Sequence, residues 1–395
     1  MADPDDRDPF GDLPPLFGDL ARMMQRQGPM SWDLAKQFAA GVAADGASEP
    51  NVDPTQRFEI EQLARVAELQ VASRTGLVVG HSGAGVQVVP VNRAQWSART
   101  LDDYRPLFEA WLSAMTVEPD LDESDPDDPM AWMAPLMKLL GPSLLPMTAG
   151  SMVGHLAQRA VGQYELPIPR AGRSDEVVIV LANLDAFGDD WSLPRDDLRL
   201  WVCLRDICHH AVLSVPHVAA TFDSLLRERL AHFDDAAGGG LDGLLGGFDP
   251  TDPSSMGNLQ SMLGDPEVLL GAVISERQQA LRPRIEALVA AIVGYVDWVM
   301  DEIGGSLIGS YGQVTEAMRR RRVEASGADR LVERIFGLEL GQAQYDRAEA
   351  FAAGVVERAG AEGLHRLWET ERTLPTPAEI DAPGLWLARI DLPDE

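Results

Sequence analysis

The sequence predicts a mainly α-helical chain with a minor β element, an α+β fold class. Three observations carry this. Apolar residues recur at helical spacing over long stretches. Only GLVVGHSGAGVQVVPV (76–91) and DEVVIVLANL (175–184) have the β-branched density of strands. The regular strand–helix alternation of a parallel α/β sheet is missing. With 395 residues, 45% of them hydrophobic, the chain can bury a substantial core.

The elements follow in order. Residues 1–28 are rich in Asp, Pro and Gly and read as a flexible tail, in which FGDL occurs at 10–13 and again at 17–20. Residues 29–395 read as a single domain. Helical spacing covers about 30–45 and returns at 54–75, where Asp53 can cap and Pro54 can occupy the first turn. Residues 76–91 read as a hairpin of two short strands around a glycine turn. A helix is expected at about 92–115, an acidic loop at 118–129 and helices through 130–163. The strand at 175–184 precedes a helix entered after Pro194 and another at about 217–233. A Gly/Asp/Pro-rich insertion occupies about 234–264. Helices should then cover about 265–304, 312–326, 328–336 and 343–359. The last 25 residues hold four prolines and are expected to run extended, packing Trp368 and Trp386 onto the body.

Composition excludes several functions. Lys and Arg total 33 against 62 Asp and Glu, a formal charge of −29. A chain so acidic repels phosphate backbones and anionic lipid heads, so neither nucleic acid nor a membrane is the expected partner. The most apolar region, Met130–Val153, is interrupted by Lys138, Gly141, Pro142, Pro146 and Gly150, too often to span a bilayer. Cys203 and Cys208 are the only cysteines and form no disulfide framework. MADPDDRDPFGDL lacks the basic start and apolar core of an export signal, so a cytoplasmic location is expected.

The segment with the most chemistry is CLRDICHHAVLSVPH, 203–217. A zinc hydrolase of the His-Glu-x-x-His type sets two His four apart on one helix face, with the Glu activating the metal-bound water. The matching frame here is Arg205-Asp206-Ile207-Cys208-His209. His209 fills the second ligand slot. Arg205 fills the first, but its guanidinium has no lone pair to offer a metal. Asp206 keeps a carboxylate in the general-base slot, one methylene shorter than Glu. Cys203, Cys208, His209, His210 and His217 are also potential ligands, but helix geometry sends 203, 206, 207 and 210 one way and 205, 209 and 213 another.

The surroundings of this segment resemble a known family. NLDAFGDDWSLPRDDLRLW precedes the helix and HAVLSVPHV follows it. FGDLARMM…GPMSWDLAKQFA, VNRAQW (91–96), HLAQRAVGQYELPIP (155–169), GYVDWVMDEIGG (294–305) and EAMRRRR (316–322) recur in the same order and spacing. They make the chain similar to the actinobacterial zincin-like family of candidate hydrolases, often labelled zinc-dependent metalloproteases. The resemblance covers nearly the whole chain and implies a zincin-like metallopeptidase fold. It also implies His-Glu-x-x-His at 205–209 and Glu-Gly-Tyr in a later helix, whose Glu suits the third zinc ligand. Here that match is Val293-Gly294-Tyr295. Three positions therefore depart, at Arg205, Asp206 and Val293, and His209 alone remains. No cofactor is expected, because zinc, the family's metal, would find an incomplete ligand set.

Three functions are open on these residues. The first is a degenerate family member that lacks zinc hydrolysis and binds a protein or peptide partner through the old cleft or the FGDL tail. The second is a working metallopeptidase with an altered site around His209 and Asp206. The third is a serine hydrolase at Ser82, since Gly80-His81-Ser82-Gly83-Ala84 approaches a nucleophile elbow; VQVVPV then follows as a strand where the elbow needs a helix. The glycines at 238–247 lack the Gly-Lys-Ser/Thr of a phosphate loop. Arg319–Arg322 is a strong basic run and is expected to pair with carboxylates. At the old cleft, Arg205 is expected to stand in for the missing cation by pairing with Asp206 or with Asp297, four residues after Val293.

Overall fold

The computed structural model of the chain describes residues 32–46, 49–80, 85–115, 133–172, 174–231, 276–324, 327–338 and 341–393. The FGDL tail, the acidic loop at 118–129, Ser82 and the insertion at 234–264 lie outside the described residues. Helix α1 (Trp32–Ala44) is followed by α2 (Pro54–Thr75), which starts and stops where its sequence directs. Asp53 Oδ1 accepts the N–H of Thr55 at 2.7 Å, Pro54 lies in the first turn, and Gly76 closes the helix at φ 67°. Strand β1 (Gln87–Val91), α3 (Arg93–Met115), α4 (Met133–Arg159) and β2 (Glu176–Val180) follow. Then come α5 (Leu181–Asp190), α6 (Arg195–Leu213), α7 (Pro216–Ala231), α8 (Glu276–Leu307), α9 (Tyr311–Val323), α10 (Gly327–Phe336) and α11 (Gln342–His365). The α+β prediction holds: the described residues are mostly helical with one small sheet.

Three elements differ from expectation. β1 pairs with β2 in parallel, from Gln87 opposite Glu176 to Val91 opposite Val180, while 77–80 is not a strand, so no hairpin forms there among the described residues. QVVPV and EVVIV are buried along nearly their whole length, the pattern of strands covered on both faces. Pro90 is tolerated because a two-stranded sheet has only edges. The second difference is α5, which begins directly at Leu181 within the segment expected to be strand. The third is the C-terminus. It forms two 3₁₀ turns (Arg366–Trp368 and Glu371–Thr373) and the short helices α12 (Pro377–Ile380) and α13 (Pro383–Ile390). Pro377 and Pro383 sit at helix starts, where a missing N–H costs nothing, and Thr376 with Glu379 makes a capping box. Trp386 packs inward as expected and donates to the Thr373 carbonyl at 2.7 Å.

The core is organised around α6. Every residue from Leu198 to Leu213 is buried, with α2, α5, α7, α8, α9 and β2 packed around the helix. Its N-terminal turn is tied down by charge. The fully buried Arg199 pairs with Asp185 at 2.9 Å and with Glu59 at 2.9 Å, and Asp197 accepts from Ser310 N at 2.8 Å. Trp201 Nε1 donates to Thr315 Oγ1 at 3.0 Å. Behind α6, helices α8 and α11 meet at Gly294, where an added Cβ would strike the Ala348 carbonyl. Gly294→Ala should therefore destabilise the fold by about 1–3 kcal/mol through overpacking. Gly305→Ala, on the same helix with nothing within 4 Å of the new methyl group, should be neutral or slightly stabilising. Paired denaturant titrations of the two variants check this.

Candidate functional site

Arg205, Asp206 and His209 lie on the buried helix α6, and a strap at 160–166 crosses them. The strap is anchored to the small sheet: Val180 N donates to Val161 O at 3.0 Å, and Gly162 forms an antiparallel bridge with Ile179. Trp96 Nε1 adds a bond to the Gly162 carbonyl at 2.8 Å. Fixed in this way, the strap presents its backbone N–H groups to Asp206, whose Oδ2 accepts from Gln163 N at 2.6 Å and Tyr164 N at 3.4 Å. Gly162 is required here, because a Cβ would collide with Asp206 Oδ2.

Arg205 pairs with Asp206 through Nη1 at 3.2 Å and donates Nη2 to the Tyr164 carbonyl at 2.9 Å. Asp297 belongs instead to Arg322, which holds both its oxygens at 2.7 and 2.8 Å. A third pair joins Arg321 to Glu165 at 3.1 Å, and Arg321 also donates to the Arg159 carbonyl. Three guanidinium–carboxylate pairs, the first buried and the other two half-buried, thus lie between α6, the strap, α8 and the end of α9. The whole basic run is paired as expected, since Arg319 meets Asp301 at 3.9 Å and Arg320 meets Glu316 at 2.7 Å.

The charges shift one another. Burial pushes the Asp206 carboxyl up to about 6, against the pull of Arg205. Burial acts on Asp297 and Glu165 too, but Arg322 and Arg321 outweigh it and hold both carboxyls below their usual range. Burial, reinforced by Arg205, lowers His209 to about 3. His209 is therefore neutral at ordinary pH. Its Nδ1 lies 2.9 Å from the Arg205 carbonyl, a contact that places the proton on Nδ1 and the lone pair on Nε2. Tyr164 stacks on this ring at 5.9 Å and 14°.

Zinc needs three protein ligands and an open position for water or substrate. The residues present do not fit it. Arg205 brings a cation, both Asp206 oxygens are engaged, and Val293 is a buried apolar residue lining a small cavity with Tyr345 and Ala348. His209 keeps a ligand-competent Nε2, but among the described residues no three His, Cys, Asp or Glu side chains converge to hold a metal. Cys203 and Cys208 are buried free thiols whose pKa is raised by burial. His210 points away from His209, its Nδ1 2.8 Å from the Tyr164 hydroxyl beside a separate cavity of about 370 Å³. Ser82 is outside the described residues, and the segment after it, 87–91, is a strand.

Sequence reasoning named Arg321 and Arg322 only as members of the paired basic run, and it missed Glu165, Tyr164 and Tyr345. All but Tyr345 lie within two of the segments that carried the family resemblance, HLAQRAVGQYELPIP and EAMRRRR.

The matches to known proteins agree with this architecture. A family model described as zincin-like metallopeptidase matches residues 30–387, and the chain belongs to that family. Among solved structures, a crystal structure of a candidate hydrolase with a novel fold, from Chloroflexus aurantiacus, aligns with a TM-score of 0.64 at 22% identity. It covers 92% of this chain and 100% of its own, which shows a shared fold. Comparison with curated proteins gives no match. Among the described residues no helix is long and apolar enough to cross a membrane.

Two outcomes follow from the buried charges. Arg205→Ala leaves Asp206 without its cation and should cost about 3 kcal/mol by denaturant unfolding; a loss under about 0.5 kcal/mol would place Arg205 among ordinary surface changes. The pH dependence is a balance. Asp206, raised in the fold, stabilises at low pH and loses that contribution as pH climbs from about 4 to about 6. His209, lowered in the fold, acts oppositely, its contribution growing as pH rises from about 3 towards 6.5. Asp206→Asn keeps an acceptor for Arg205 and removes the first slope. Stability of this variant should therefore climb more steeply between pH 4 and 6.5 than that of the wild type; equal slopes would show that Asp206 does not titrate there.

Proposed function

We propose that this chain is a family member that has given up zinc hydrolysis and uses the old cleft to bind a protein or peptide partner. One observation carries the reading: the first ligand slot holds Arg205, whose guanidinium is fixed against Asp206 and the Tyr164 carbonyl. A cation at that place repels a second cation and donates no electron pair. The third slot is the apolar Val293, and Asp206 is engaged by two backbone N–H groups and Arg205 where a general base needs a free oxygen. The strong negative charge disfavours polyanions such as nucleic acid, which supports a partner outside that class.

One feature favours a second reading, a metallopeptidase with a rebuilt site: His209 still offers Nε2 with its Nδ1 proton held by a carbonyl, the arrangement of a ligating imidazole. Metal content separates the two. Protein purified without added metal or chelator should carry zinc far below one per chain by elemental mass spectrometry, and His209→Ala should leave that content unchanged. Stoichiometric zinc that disappears in His209→Ala would overturn the first reading. Arg205→His, Asp206→Glu and Val293→Glu combined should raise the zinc content, since together they supply the three ligands and the base the family pattern implies.

A further inference from the structure

A cavity of about 60 Å³ opens beside the three ion pairs. Its walls include Arg205, Arg321, Arg322, Glu165 and Tyr345, with Leu156 and Leu166 among the apolar members. The balance of donors and acceptors there is uneven. Each guanidinium brings five N–H groups, and among the described residues Arg205, Arg321 and Arg322 each form two hydrogen bonds to protein acceptors. The paired carboxylates, by contrast, each already accept two or three hydrogen bonds. Glu165 accepts from Val161 N at 2.7 Å and Gly162 N at 3.3 Å as well as from Arg321. Both oxygens of Asp297 are on Arg322, and both of Asp206 are occupied.

The surplus donor is specific. Arg205 is buried, with 7% exposure, and among the described residues its Nε has no hydrogen-bond partner. A buried, cationic N–H without an acceptor points to a missing one. Tyr345 stands across the cavity with Arg322 over its ring at 5.2 Å. Burial raises its pKa, so its hydroxyl remains a donor, and among the described residues it makes no hydrogen bond.

We propose that this cavity is a receptor for a single carboxylate group, held by the spare guanidinium N–H groups of Arg205, Arg321 and Arg322 and by the Tyr345 hydroxyl. The planar fork of Arg suits a carboxylate. A dianion such as phosphate is disfavoured, since Glu165 and Glu333 line the same walls. The size admits the carboxylate and a short stem, so the ligand is either a small free acid or the C-terminus of a peptide. The inference rests on the reading of the old cleft as a binding site and names its ligand chemistry.

The experiment uses the full chain, with its zinc content measured on the same sample. Calorimetric titrations with sodium acetate, a tetrapeptide acid, the same tetrapeptide as its amide, sodium phosphate and sodium chloride are compared at constant ionic strength and pH 7. Saturable one-to-one binding of acetate or of the peptide acid is expected, with none for the amide, phosphate or chloride. Acetate as tight as the peptide acid would indicate a small free acid; a tighter peptide acid would indicate a peptide terminus. Tyr345→Phe leaves the ion pairs intact and should weaken binding about fivefold. Glu333→Gln removes a negative charge from the wall and should tighten it about twofold or more. Binding that phosphate or chloride reproduces, no binding at all, or affinity untouched by both variants would overturn the proposal. Stoichiometric zinc together with carboxylate binding would overturn the loss of hydrolysis and leave the carboxylate site standing. Absent zinc with no carboxylate binding would do the reverse.

Discussion

The structure depends on one costly arrangement: adjacent residues of opposite charge, Arg205 and Asp206, in the middle of a helix with no exposed face. Taking two ions out of water costs several kcal/mol each, and their attraction offsets this only when the remaining donors and acceptors are satisfied. Neighbouring elements are placed to do so. Gln163 and Tyr164 supply N–H groups to Asp206, and the Tyr164 carbonyl receives Arg205. The strap that carries them is held by β2 and by Trp96 on α3. The two-stranded sheet therefore has a definite purpose in a helical protein: it fixes the backbone that neutralises the centre of α6.

This explains what was legible in the sequence and what was not. Long amphipathic helices and their caps are local, so Asp53, Pro54 and Gly76 marked α2 by themselves. The pairing of β1 with β2 joins segments about ninety residues apart, and nothing local distinguishes QVVPV as one arm of a hairpin from QVVPV in a parallel pair. α5 was hidden because LANL is apolar enough to continue a strand. At the C-terminus, prolines were taken as a mark of extended chain, whereas Pro377 and Pro383 start helices.

At the site, residue types on one helix were readable because spacing fixes their faces. Asp206 and His210 both hydrogen-bond to the strap, while His209 meets it only through the stacked ring of Tyr164. The partners of these residues come from elements distant in sequence, where spacing says nothing. Asp297 was a reasonable partner for Arg205 by helix geometry, but Arg322 reaches it with two hydrogen bonds and leaves Arg205 to Asp206. Only the fold could show that a basic run at the end of α9 sends two of its members inward and two outward.

Tyr164 joins the two sides of α6. Its amide and carbonyl serve Asp206 and Arg205, its ring stacks on His209, and its hydroxyl meets His210 beside the second cavity. Burial keeps the phenol protonated, and it shares a hydrogen bond with His210 Nδ1 at 2.8 Å. Adjacent imidazoles on one helix are thereby each held through Nδ1, His209 at the Arg205 carbonyl and His210 at the Tyr164 hydroxyl. A shift of the strap would disturb both, together with the Arg205–Asp206 pair. The strap and α6 border both cavities, since Glu165 and Arg205 line one and Tyr164 and His210 line the other.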